Sequence, residues 1–122
     1  MMVCKIISAC VVGMMMMTSC YYDVEEVLYP PTTCTTDNMS FTSDIHPILS
    51  YNCFVCHSEA VNNGNVTLEG YNNVMIYVNS GQLMGAIKHQ SGFTAMPQNS
   101  SPLSDCDILK IEQWIAQGTR NN

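Results

Sequence analysis

Cys53, Cys56 and His57 lie within five consecutive residues, Cys53-Phe54-Val55-Cys56-His57, and carry the most reactive side-chain chemistry of the chain. Two thiols separated by two residues can ligate zinc, cycle as a redox dithiol, or bond covalently to a porphyrin. Structural zinc asks for a second ligand pair at similar spacing, and no second C-x-x-C occurs. A thioredoxin-like dithiol asks for strands alternating with helices, a pattern absent around these residues. The histidine next to the second cysteine favours the third chemistry. Each thiol can add to one vinyl group of haem, and the adjacent imidazole then falls beneath the iron as proximal ligand.

This motif resembles that of the c-type cytochromes, and the resemblance spans roughly residues 40–119. It implies an all-α, cytochrome c-like fold, with several short helices wrapped around one covalently attached haem c per chain. It also implies a second axial ligand. Members of this size usually draw it from a methionine in a loop before the last helix, often as Met-Pro; here Met96-Pro97 follows His57 by 39 residues. A thioether is soft and neutral and favours ferrous iron. Pro97 would stiffen the loop. His89 is the rival distal ligand, while Met75 and Met84 fall at apolar helical positions, where methionine more commonly packs in a core. His46 reads as a surface histidine beside Pro47.

Two departures from the family pattern bear on geometry. Ile45 stands eight residues before Cys53, where many members carry glycine, which implies a wider or differently rotated crossing of the terminal helices. No proline follows His57 until Pro97, so another backbone carbonyl must hold the imidazole Nδ1–H.

At the start of the chain, Lys5 precedes an apolar run from Ile6 to Met17, closed by Thr18-Ser19-Cys20. Such a run is too short to span a bilayer as a helix and fits a secretory signal. Small residues before a cysteine resemble the bacterial lipoprotein processing site, with Met17 where leucine is more frequent. The resemblance implies a signal peptide at 1–19 and lipidation of Cys20; ordinary cleavage to a soluble product is the alternative. The seven cysteines are then accounted for. Cys4 and Cys10 leave with the signal, Cys20 takes lipid, and Cys53 and Cys56 take haem. Cys34 and Cys106 remain, and an oxidising compartment would pair them as a disulfide.

The elements that must hold this chemistry follow. Residues 20–39 read as a lipidated flexible tether: acidic residues, Pro30-Pro31 and several threonines show no periodicity, and the reach is about 25 Å. Residues 40–122 form the haem domain. A first helix runs from about Ser43 to Tyr51, capped by Thr42 or Ser43, with Asp44 in its first turn. The Asn62-Asn63-Gly64-Asn65 stretch is a loop. Asn72 would cap a helix that Gly81 ends, and a short helix covers Leu83 to Lys88. In the last helix Ser104 and Asp107 form an N-terminal box, Ile108, Ile111 and Ile115 make the apolar stripe with Trp114 beside it, and Gly118 ends it.

Lys5 is the sole charge in 1–19, so its removal takes the formal net charge from −6 to −7. Such acidity argues against nucleic acid and favours docking to a basic partner, or simply solubility; the cytochrome resemblance implies that the partner is a redox protein with a basic docking surface. The expected function is a membrane-tethered, single-haem electron carrier rather than an enzyme. It would be exported and lipid-anchored to a bacterial membrane, facing the periplasm or cell exterior. Phe54, Val55 and Phe93 are candidates for an apolar rim. One alternative is a haem enzyme or gas sensor with an open iron position, with His89 as distal acid or base. Another is a haem-free lipoprotein module in which Cys53 and Cys56 form a disulfide.

Overall fold

Ser40, not Thr42 or Ser43, caps the first helix in the computed structural model, which describes residues 33–122. The Ser40 hydroxyl accepts from the Ser43 N–H at 3.2 Å, and an Asp44 carboxylate oxygen accepts from the Ser40 N–H at 2.8 Å. This is a capping box lengthened by one residue, because the turn inside it is wide. Phe41–Ile45 forms a π-helical turn that runs into α1 (His46–Asn52). Pro47 accounts for the widening: it has no N–H to donate, and its ring crowds the carbonyl four residues back. Thr42 is already inside the turn, and its N–H donates to the backbone oxygen of Asn122 at 2.9 Å.

Among the described residues four more α-helices follow, α2 (Phe54–His57), α3 (Tyr71–Asn79), α4 (Gln82–Ile87) and α5 (Asp105–Ala116), with a 3-10 turn at Asn63–Asn65 between α2 and α3. The described residues are all-α, with no strand. None of their helices is long and apolar enough to cross a membrane. Asn72 does not cap α3. Gly70 does so at φ +87°, and Asn72 falls within the first turn. Gly81 both follows α3 and caps α4, in a left-handed conformation that breaks the chain direction between them.

The box at Ser104 forms with a different internal bond. The hydroxyl accepts from the Asp107 N–H at 3.1 Å and donates to the Asp107 carboxylate at 2.8 Å. The shorter acid thus meets the serine hydroxyl, where glutamate would reach back to the cap's backbone. At the other end, Gly118 N–H donates to Ile115 and Thr119 N–H to Trp114, the paired bonds of a Schellman cap. Gly118 adopts φ +93°, which its missing Cβ allows.

Trp114 and Ile111 are fully buried on α5, with Ile108 and Ile115 half-buried at the flanks. Trp114 therefore sits at the centre of the apolar face, not beside it. Its ring packs against Phe41 and Tyr71 at centroid separations of 5.6 and 6.2 Å. Its indole N–H donates to the Arg120 carbonyl. Ile45, wholly buried, fills the core with Leu49 and Val74.

The compact unit begins at Cys34, six residues before the expected domain start. Cys34 and Cys106 lie at disulfide distance, with Cα atoms 5.6 Å apart. Met39 is buried, and Gln117 holds this segment by accepting from Met39 N–H and donating to the Thr36 carbonyl. The end of the expected tether is thus packed onto the start and end of α5. The expected signal peptide, the Cys20 lipidation site and the rest of the tether lie outside the described residues.

Candidate functional site

Cys53 ends α1 and opens α2, so its carbonyl accepts from both Cys56 N–H and His57 N–H, at 3.1 and 2.8 Å. That turn decides the site's layout. Positions i, i+3 and i+4 of a helical turn share a face, so Cys53, Cys56 and His57 all reach the wall of one cavity. Phe54 is absent from that wall; it packs half-buried against the core, and its ring meets the exposed His46 edge-on. Val55 is 76% exposed at the cavity rim.

The cavity has a volume of about 880 Å³. Small-molecule and cofactor sites run from about 300 to 1,000 Å³, so a large planar ligand is within range. Leu68, Leu83, Ile87 and Leu103 supply apolar walls; Asn52, Gln82 and Gln98 supply neutral polar groups. Among the described residues, no aspartate, glutamate, lysine or arginine lines it. Met96 and Pro97 complete the wall across a peptide bond that is cis.

His57 is oriented by a carbonyl that the sequence does not mark. Its Nδ1 lies 3.2 Å from the Val66 carbonyl oxygen. An oxygen of that kind only accepts, so Nδ1 carries the proton, and in the neutral ring Nε2 keeps a lone pair for a metal. The intervening loop returns to the imidazole through three left-handed residues, Asn62, Gly64 and Asn65, types that adopt positive φ more readily than others. Leu68 N–H then donates to the His57 carbonyl at 2.8 Å and closes the loop.

Cys53 and Cys56 are free thiols. Burial pushes the Cys53 thiol up to about 11, because a thiolate there would lose its water. Among the described residues, no three histidine, cysteine or acidic side chains converge to hold a metal by themselves. The motif's donors share a wall instead of meeting at a point.

His89 is not part of the cavity wall. Its Nε2 lies 3.1 Å from the Met96 carbonyl oxygen. Met75 and Met84 pack partly buried against the core. His46 is exposed. Phe93 lines the cavity and leaves 40% of its surface exposed. Its ring covers Gly85, a role that sequence reasoning missed.

No family model, curated protein or solved structure matches this chain. The residues themselves carry the functional argument.

Proposed function

We propose that this chain is a cytochrome c-like, single-haem electron carrier, with haem c held by Cys53 and Cys56 and ligated by His57 and Met96. The observation that carries the proposal is the shared cavity. Both thiols, an imidazole with Nε2 free and one methionine border a largely apolar space of about 880 Å³. The chemistry of this donor set fits haem. Thioether bonds need two thiols near the macrocycle's edge and axial ligation needs one neutral imidazole, which a shared wall supports better than a convergent cluster.

Bound haem would supply the one-electron couple. The protein's own part is to hold and tune. Cys53 and Cys56 anchor the group, and the Val66 carbonyl fixes the ring orientation of His57 and raises its basicity. Met96 contributes a soft neutral sulfur. Leu68, Leu83, Ile87 and Leu103 would keep water away from the bound group, and such an apolar surround would help tune its potential.

The proposed setting is outside the cytoplasm, with Cys20 lipidated and the domain held near a bacterial membrane. The proposed partners are redox proteins with a basic docking face, in keeping with a formal charge that goes from −6 to −7 once Lys5 is removed with residues 1–19.

Absorption spectra of the protein made in a haem-maturing bacterial host test this. The expected result is a covalent c-type spectrum with a thioether-to-ferric charge-transfer band and no response of the reduced form to CO. Met96→Ala should remove that band and admit CO. A CO response in the unaltered protein would transfer support to the open-site reading; no covalent haem at all would end the proposal.

A further inference from the structure

We infer that His89 is a positioning residue: its imidazole holds the Met96 backbone in place and does not itself ligate iron. This rests on the reading of Met96 as an iron ligand. His89 lies outside the cavity wall that contains Met96, and its Nε2 is 3.1 Å from the Met96 carbonyl oxygen. A carbonyl accepts and never donates, so Nε2 carries the proton and has no lone pair left for a metal; Nδ1, which keeps one in the neutral ring, belongs to a side chain outside that wall.

The rest of the loop is tied to the same place. Met96 N–H donates to the Ala86 carbonyl at 3.1 Å, and His89 N–H donates to that same carbonyl at 3.1 Å. Both backbone groups of Met96 are therefore fastened, one to the last turn of α4 and the other to the residue that leaves it. His89 adopts φ +52°, a left-handed conformation that histidine enters more readily than most residues. That turn is what reverses the chain after α4, so that the loop can return to Ala86.

The consequence concerns the sulfur. A thioether is a modest ligand for iron, and its hold depends on how few positions its loop explores. Removing one of two bonds on the Met96 backbone should widen that range. A hydrogen bond of this kind is worth about 1 kcal/mol net, or about fivefold in an equilibrium.

The test uses the full chain, matured with haem, and two variants. In His89→Asn the replacement tolerates the positive φ but its amide is too short to reach the carbonyl. In His89→Gln the amide nitrogen stands about as far from the backbone as Nε2. The readouts are the thioether-to-ferric band and the affinity of the ferric protein for added imidazole. Covalent haem should be retained in both variants. His89→Asn should weaken the band and bind imidazole about fivefold more tightly, and His89→Gln should restore both values.

Equal band intensity and imidazole affinity in His89→Asn and the unaltered protein would overturn the inference, as would failure of glutamine to restore them. An unaltered protein that lacks the band, and whose axial spectrum changes in His89→Asn, would make His89 the ligand. A second measurement reads the ring itself: nitrogen-resolved NMR of the matured, reduced protein should find the neutral His89 ring protonated on Nε2 with its N–H protected from solvent exchange, and an Nδ1–H ring or an unprotected N–H would overturn it. Absence of covalent haem from the unaltered protein would instead defeat the underlying reading, before any variant is compared.

Discussion

A Cβ at Gly85 would lie 2.4 to 2.5 Å from three atoms of the Phe93 ring, including the ring atom nearest its backbone. No small rotation of the ring tip relieves that overlap, so Gly85→Ala must displace Phe93 from the cavity wall. The expected cost is about 1–3 kcal/mol, read as a lower unfolding midpoint in urea. Adding Phe93→Ala should recover part of that loss, a coupling that a double-mutant cycle isolates. Additivity of the two changes would mean that the contact carries no energy. Residue-level chemistry was partly legible: Cys53, Cys56, His57 and Met96 are reactive types at telling intervals, and all four border the cavity. Gly85 gave no such signal, because a glycine inside a helical pattern reads only as a weak breaker. The Val66 carbonyl gave none either, since every residue has one.

At the level of elements, the helix ends were read best where a local side chain decides them. Ser104 caps α5 as its spacing to Asp107 suggests, and Gly118 closes it. Ser104→Ala should destabilise the protein by about 1 kcal/mol, with little change in the m-value of urea unfolding. An unchanged midpoint would mean that the cap is not formed in solution. The start of the first helix was misread by two or three residues, because Pro47 widens the turn and moves the cap back to Ser40. The Lys88–Glu112 ion pair links the end of α4 to α5. With both side chains about a third exposed, it contributes little next to the apolar contacts.

On the scale of the whole molecule, the Cys34–Cys106 pair closes a separation of 72 residues, about four fifths of the compact unit that runs from Cys34 to Asn122. In the chain-entropy model a bond across that separation stabilises by about 4 kcal/mol, and measured values commonly fall between about 2 and 4. Cys34→Ser with Cys106→Ser should therefore lower stability by about 2–4 kcal/mol while leaving the Cys53, Cys56 and His57 wall intact. Denaturant unfolding measures the first, and a c-type spectrum of the variant checks the second. Under the proposed haem reading, loss of the c-type spectrum in this variant would mean that the bond shapes the site as well as the fold. The same bond brings residues 34–39 into the domain, so a tether to any anchor at Cys20 would end at residue 33.

The sequence alone determined what depends on residue type and short spacing. This includes the helical class, the Ser104 and Gly118 ends of α5, and the shared face of Cys53, Cys56 and His57, since these follow from one turn of backbone. Tertiary structure alone decided which groups meet across long stretches of chain. The Val66 carbonyl reaches His57 because three left-handed residues fold the loop back. His89 meets the Met96 carbonyl, and not the cavity, because its own positive φ turns the chain after α4. Trp114 is central because Phe41 and Tyr71, from distant positions, close around it. Backbone carbonyls and packing neighbours leave no mark in composition or periodicity, so only the folded chain reveals them.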